Sequence, residues 1–467
     1  METQCGYHSV RGAEPNLVLS LDRIPLLRTE TAGSETQWSV NISPLTGWTE
    51  AVCIRDKHVP AALWLFPLNS VAAKSDRTRK YAPTGTRNPR ASANIGKTFD
   101  EGHQMSTNKI VRIGIIGAGF ARTTQIPAFK ACEGAQIVAI ASARRERAEE
   151  AAREFGIEHV ASDWRALVAR DDIDLVSIVT PVVTHCEMTL AALDSGKAVL
   201  CEKPMAMNAG EALRMTDRAR AAGVLALIDH ELRFLPGRVK MRELVRRGDI
   251  GKVRHAKLTF RSDSRSDVNR PWNWWSDKTQ GGGALGAIGS HVIDGFRWLL
   301  DTEVREVIAN LATHIRERKD EAGRLCEVTT DDEANLLLRF ADTELTAGAT
   351  GSASMSLVEP GKPEHRLEIF GSAGALMIEE SGELWQSKVG DGEWQRVETD
   401  RGLLAPGMHD GGWARGFTAF SRRIVEALRA SHPTVEGAAT FEDGYRTQLV
   451  LDAARRAHES GCWVKVE

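Results

Sequence analysis

The chain has no cysteine pattern that would bind a metal or build a disulfide framework. Its seven cysteines (Cys5, Cys53, Cys132, Cys186, Cys201, Cys326 and Cys462) are scattered and include no C-x-x-C pair. Both kinds of site need regular spacing, so no metal is expected and a reducing, cytoplasmic setting is. Long apolar runs are also missing. The best stretch of the first half, residues 61–73, is broken by Pro67 and polar residues and is too short to span a bilayer. The start lacks a basic segment followed by an apolar one, so no secretory leader is expected. Nor does one charge dominate: 60 Lys and Arg against 63 Asp and Glu leave a net charge of −3. No basic field is available to hold nucleic acid or an anionic membrane surface. What is present is 467 residues of ordinary globular composition, enough at roughly 150 residues per domain for two or three domains with cores of their own.

The chain changes character near residue 108. Residues 1–108 mix Pro, Ser, Thr, Asn and Arg with short apolar islands, and 74–94 is basic and turn-rich. Disorder is the leading expectation there, although Trp38, Trp48 and Trp64 are unusual in such a segment. A second expectation is that the working protein starts at Met105, directly before the first regular strand. From residue 110 apolar runs at 110–116, 136–141, 175–179, 198–201 and 224–228 alternate with helical patterns. That rhythm predicts a doubly wound parallel sheet over residues 109–230. Residues 231–467 read instead as successive strands at short spacing (253–261, 304–316, 333–340, 344–354, 365–370, 375–379), followed by helices at 412–430 and 441–460. The expectation is an α+β domain with a large open antiparallel sheet, its last helix a candidate to pack back on the first domain.

The first strand of the parallel domain runs into Gly117-Ala118-Gly119-Phe120-Ala121, a G-x-G-x-A turn that opens a helix. Gly117 permits the tight turn, Gly119 lets backbone approach a pyrophosphate, and Ala121 lets helix and strand pack closely. In this strand–turn–helix setting it is the dinucleotide signature of a Rossmann domain. The second strand ends not in the acidic residue usual for NAD but in Ser142, Arg144 and Arg145. A hydroxyl and two guanidinium groups suit a 2′-phosphate, so NADP is favoured slightly over NAD, unless the arginines simply cap a solvated helix start.

Further on, Thr180-Pro181 with His185, and then Gly196-Lys197-Ala198-Val199-Leu200-Cys201-Glu202-Lys203-Pro204, resemble paired motifs of the glucose–fructose oxidoreductase / inositol dehydrogenase / rhizopine catabolism family. The run from Gly281 through Gly289-Ser290-His291 is similar to that family's second motif. The likeness covers about residues 109–467. It implies an NAD(P)-dependent oxidoreductase acting on a secondary alcohol or carbonyl of a sugar, inositol or related polyol. It also implies a homodimer or homotetramer formed through the open sheet. Thr180, Pro181, His185, Glu202 and Lys203 would then join the glycine turn around the cofactor.

Physical reasoning supports two catalytic candidates. Lys203 follows a buried parallel strand, at the edge where α/β sheets bind ligands, and its ammonium could stabilise an alkoxide; the bland alternative is a surface lysine paired with Glu202. His291, on a helix opened by glycines, could exchange the hydroxyl proton. The family often carries an aspartate one helical turn earlier, where this chain has Ala287, and Asp294 is the candidate to orient the imidazole in its place. Trp272 and Trp275 are candidates to stack on a sugar ring, or else to fill a core. Arg233, Arg265 and Asn269 are candidates for the pocket wall. Two other readings stay open: glycoside hydrolysis or elimination assisted by a tightly held NAD, and a non-catalytic dinucleotide-binding regulator.

Overall fold

The computed structural model describes residues 109–467 throughout and, before them, only the backbone of four strands. These are β1 (Leu27–Arg28), β2 (Thr36–Val40), β3 (Ala51–Arg55) and β4 (Ala62–Leu65), paired in that order as an antiparallel meander. The remainder of residues 1–108, on which the expectations of disorder and of a start at Met105 fall, lies outside the described residues. The first 99 residues and residues 100–467 form separate units.

The second unit begins with β5 (Val111–Ile116), a π-helical turn at Ala121–Gln125, α1 (Ile126–Lys130), β6 (Ala135–Ala141), α2 (Arg145–Phe155), β7 (His159–Val160) and α3 (Trp164–Val168). β8 (Leu175–Ile178), α4 (His185–Asp194), β9 (Ala198–Cys201), α5 (Ala209–Ala222) and β10 (Ala226–Ile228) complete the alternation. The strands are parallel in the order β10-β9-β8-β5-β6-β7. β8 and β9 are buried at every position, as a sheet covered on both faces requires. Strand order reverses between β5 and β8, so the loops after Ile116 and Ile178 flank the crevice where such sheets bind nucleotides.

After α6 (Pro236–Arg247) come β11 (Val253–Arg261), α7 (Ser290–Leu300), β12 (Val304–Ala312), the hairpin β13 (Glu317–Lys319) and β14 (Leu325–Glu327), β15 (Glu333–Phe340) and β16 (Thr350–Ser356). β17 (Glu364–Gly371), β18 (Gly374–Ile378), β19 (Leu384–Lys388), β20 (Gln395–Val397), α8 (Gly412–Arg429), β21 (Ala439–Thr440), α9 (Phe441–Ser460) and β22 (Val464–Lys465) finish the chain. Nine of these strands form one sheet, antiparallel except where β11 lies alongside β16. β15 alternates inward Ala334, Leu336, Leu338 and Phe340 with more exposed residues, and α6, α7 and α9 cover the inward face. Two expected strands are shorter. The expected 304–316 strand stops at Ala312 because the Asp332 carboxylate captures the amides of His314 and Ile315. Residues 344–348 form a turn in which Asp342 accepts the Gly348 amide.

The division at residue 230 is not a division of cores. Phe417, Phe420, Ile424 and Val425 of α8 pack among Val111, Ile113, Ile126 and Phe129, so a late helix completes one side of the dinucleotide domain. β21 adds to the parallel sheet beside β10, antiparallel to it. α9 starts there with a reciprocal cap between Thr440 and Asp443 and runs across to the second sheet, where β22 pairs with β12.

Candidate active site

The glycine turn has the form that the signature predicts. Gly117 has φ +109°, and a Cβ there would lie 2.0 Å from the Val179 carbonyl oxygen, so only glycine fits. A Cβ on Gly119 would meet nothing within 4 Å, which leaves bare backbone facing open space. Ala118 and Ala121 are buried, and Phe120 is 42% exposed at the rim. This cradle fits a dinucleotide pyrophosphate.

The two arginines expected to take a 2′-phosphate are committed elsewhere. Arg144 pairs with Glu321 on the β13–β14 loop at 3.1 Å, and Arg145 pairs with Glu149 one turn along α2. The Ser142 hydroxyl accepts the Arg144 amide. His185 is fully buried, its ring spanning the carbonyls of Thr180 (2.9 Å) and Pro204 (3.1 Å). A neutral imidazole carries one N–H, so one of the two is donated at a time, and burial depresses its pKa. It braces the Thr180-Pro181 loop against the loop after β9 instead of offering a nitrogen to a cofactor.

Glu202 also faces inward. The Gln125 amide nitrogen donates to Glu202 Oε1 (3.0 Å) and to Asp229 Oδ2 (2.9 Å), while the Gln125 carbonyl oxygen accepts from Ser177 (2.5 Å). Glu231 completes this buried acidic group. Burial raises all three carboxyls, and repulsion from Glu202 adds to it at Asp229 and at Glu231, which is pushed to about 8. Among the described ion pairs none joins Lys203 to Glu202. Lys203, in a Lys203–Pro204 dipeptide with a cis bond, extends away and donates from Nζ to the Ala287 carbonyl at 3.1 Å.

The glycine run that supplies Ala287 is a packing device. Side chains on Gly281, Gly282 and Gly283 would run into Val182, the Trp275 carbonyl and Asp331 respectively. Asp331 accepts the Leu285 amide at 2.6 Å and its carbonyl takes the Ala284 amide, which caps the π-helical turn Leu285–Gly289 leading into α7. One turn beyond Ala287 stands His291. Its Nδ1 is 3.5 Å from Nδ1 of His230, and its ring meets His230 and Trp413 edge to face at 5.2 and 4.6 Å. Its Nε2 is buried and has no hydrogen-bond partner among the described residues. Burial holds the imidazole well below its usual pKa, and the charge of Lys203, then His230, Arg238 and His365, lowers it further. The Lys203 ammonium is thus close enough for its charge to act on the imidazole.

Asp294 makes no hydrogen bond to His291 among the described residues. Arg233 donates to both its carboxylate oxygens (2.8 and 2.5 Å) and also reaches Asp443, a pairing that takes Arg233 out of the expected pocket wall. Of the other candidates, Arg265 lies over the Trp275 ring at 4.3 Å, and Trp272 donates from its indole to Glu327 on the hairpin. Asn269 is exposed, its amide donating to Asp267. Sequence reasoning missed His230, Trp413, His365 and Arg238, the last two in contact at 3.3 Å. One signal was available: Asp229-His230-Glu231 puts three titratable groups in a row at the carboxyl edge of β10.

Residues 111–230 match the oxidoreductase family with an NAD-binding Rossmann fold, and residues 239–377 match the GFO/IDH/MocA C-terminal domain. The chain belongs to the GFO/IDH/MocA family of oxidoreductases. Among its relatives, levoglucosan dehydrogenase of Pseudarthrobacter phenanthrenivorans is 31% identical over 388 residues, spanning 76% of this chain and 98% of that one. Glucose-fructose oxidoreductase domain-containing protein 2 of Homo sapiens is 27% identical over 374 residues, 76% of this chain and 93% of that one. A solved levoglucosan dehydrogenase in complex with NADH and levoglucosan aligns with a TM-score of 0.70 and 29% identity, over 77% of this chain and all of that one. Other GFO/IDH/MocA structures of that dehydrogenase also hold NADH. With Arg144 and Arg145 paired to carboxylates, the expected preference for NADP has no support. No helix among the described residues is long and apolar enough to cross a membrane.

Proposed function

We propose that the protein is an NAD-dependent dehydrogenase or reductase that interconverts a secondary alcohol and a carbonyl on a sugar-like polyhydroxy substrate. The observation that carries this reading is the bond from Lys203 Nζ to the Ala287 carbonyl. It brings an ammonium from the edge of the parallel sheet against the helical segment that bears His291. The glycine turn at Gly117 and Gly119 would hold the cofactor's pyrophosphate, and bound NAD would supply the hydride acceptor. Lys203 orients the reacting hydroxyl and stabilises negative charge on its oxygen. His291, kept neutral by burial and by nearby cations, is ready to receive the proton. Trp275, with Arg265 over one face of its ring, is the aromatic group we assign to stacking on a sugar. The levoglucosan dehydrogenase relatives make anhydrosugars the first substrates to try. We place self-association on the open face of the nine-stranded sheet, and light scattering on the purified protein would test it.

The test is a panel of anhydrosugars, sugars and inositols with their keto forms, with NADH absorbance followed under NAD and NADP in parallel. Substrate-dependent reduction of free NAD supports the reading. Cleavage of a glycoside without net reduction would replace it with cofactor-assisted hydrolysis, and binding without turnover would replace it with a regulatory role.

A further inference from the structure

The second family motif lacks its acidic residue here, since Ala287 stands one turn before His291, and the structure shows a different group on the imidazole. His230 faces His291 with Nδ1 toward Nδ1 at 3.5 Å, and His230 Nε2 lies 3.9 Å from Asp294 Oδ1. All three residues are buried. A hydrogen on one Nδ1 and a lone pair on the other make this contact favourable, whereas two lone pairs or two hydrogens repel. Asp294 decides which is which. A carboxylate beside His230 Nε2 calls for a hydrogen on that nitrogen, which leaves His230 Nδ1 as the acceptor. Arg233, bonded to both Asp294 oxygens, holds the carboxylate ionised and in place. His291 must then donate from Nδ1, and its lone pair falls on Nε2, the ring nitrogen without a hydrogen-bond partner among the described residues.

We infer that His230 is a positioning residue that fixes the tautomer of His291, with Asp294 behind it, so that His291 Nε2 is the proton-accepting atom. The inference rests on the proposed oxidoreductase reading. In alcohol oxidation the substrate O–H bond breaks and its proton forms a new bond to Nε2, while the C–H electron pair leaves as hydride to the bound nicotinamide. The substrate loses two electrons and the nicotinamide gains them. The charge that appears on His291 is met at Nδ1 by the His230 lone pair, a contact that is long in the resting enzyme and free to tighten when the proton arrives. His230 thus supplies from the dinucleotide domain what the absent carboxylate at position 287 would have supplied from within the helix.

The first test is nitrogen-15 NMR of histidine side chains in the full-length protein with NADH bound, the His291 resonances being assigned by their loss in His291→Gln. The expected result is a neutral His291 with hydrogen on Nδ1; hydrogen on Nε2 overturns the inference. This measurement depends on no substrate, so failure of every sugar to turn over would sink the functional reading and leave the tautomer result standing. The second test is kinetic. Removing a partner that orients a catalytic ligand or base typically costs about 10- to 100-fold. His230→Phe should lower kcat by that factor with KM within about twofold and NADH binding unchanged. His230→Asn, which puts an amide oxygen where Nδ1 was, should recover kcat to within about threefold of the parent. A His230→Phe enzyme with parental kcat, or a His230→Asn enzyme no better than His230→Phe, overturns the assignment.

Discussion

Glu231 offers the sharpest quantitative check on the buried acids behind Lys203. Its carboxyl has an ordinary pKa of 4.5 and is pushed to about 8 in the fold, by burial first and by Glu202 second. A folded pKa raised above the unfolded one means stability that is fully present below pH 4.5 and lost as pH rises through 8. Between those values the unfolded chain has released a proton that the folded protein retains, so each pH unit removes about 1.4 kcal/mol. Over the whole interval the loss is about 5 kcal/mol, an upper figure for one group. Glu231→Gln keeps the shape of the protonated acid and has no proton to lose. Urea unfolding of both proteins at pH 5.5, 7 and 8 should show the variant gaining on the parent by about 3 kcal/mol across that span. Groups away from the cluster titrate alike in both proteins and cancel in the difference, while Asp229, relieved of repulsion from Glu231, shifts down in the variant. Parallel curves would mean that Glu231 is already ionised in the fold, and the picture of a proton-holding cluster beside Lys203 would fail.

Three further outcomes are expected. Lys203→Met should lower hydride transfer by at least about 100-fold, the scale for losing one donor to a developing oxyanion, while NADH fluorescence titration finds affinity within about twofold. The two glycines of the turn should separate. Gly117→Ala forces a methyl group to 2.0 Å from a carbonyl oxygen and should appear as lost soluble protein or a lowered melting temperature. Gly119→Ala points into open space, so it should keep the parental melting temperature and weaken NADH binding by about tenfold. Arg144→Ala, which breaks only the exposed pair with Glu321, should leave NADH affinity within about twofold. A large loss there in calorimetric titration would return the adenosine end of the site to the arginines.

Much of the fold could be read along the chain because its signals are local. The turn at Gly117, the strand before Lys203 and the glycine run before His291 are each recognisable from a few consecutive residues, although the groups the glycines make room for, Val179, Val182 and Asp331, lie far off in sequence. The parallel sheet follows from the alternation of buried runs with helical ones. What escaped depends on residues far apart in sequence. Asp294 lies on the same helical face as His291 and so looked like its partner, but Arg233, 61 positions earlier, claims both its oxygens. His230 marked the end of a strand, and nothing local shows that its ring meets α7. Trp413 and the rest of α8 read as an amphipathic helix of the second domain, and the pattern of such a helix does not say which core receives it. Ser142, Arg144 and Arg145 read as a chemically sensible phosphate site, and only the fold shows Glu321 within ion-pair distance of Arg144.

The last helix has a mechanical consequence. It is tied at its start to one sheet through β21 and at its end to the other through β22, with side chains buried in both cores. Such a strut resists the jaw-like opening by which many two-lobed enzymes admit their ligands, because parting the lobes would peel an edge strand from one of the sheets. Yet the atom that should receive the proton is sealed, with an indole against its ring. A frame of this kind favours small adjustments beside the site over any hinge between the two sheets.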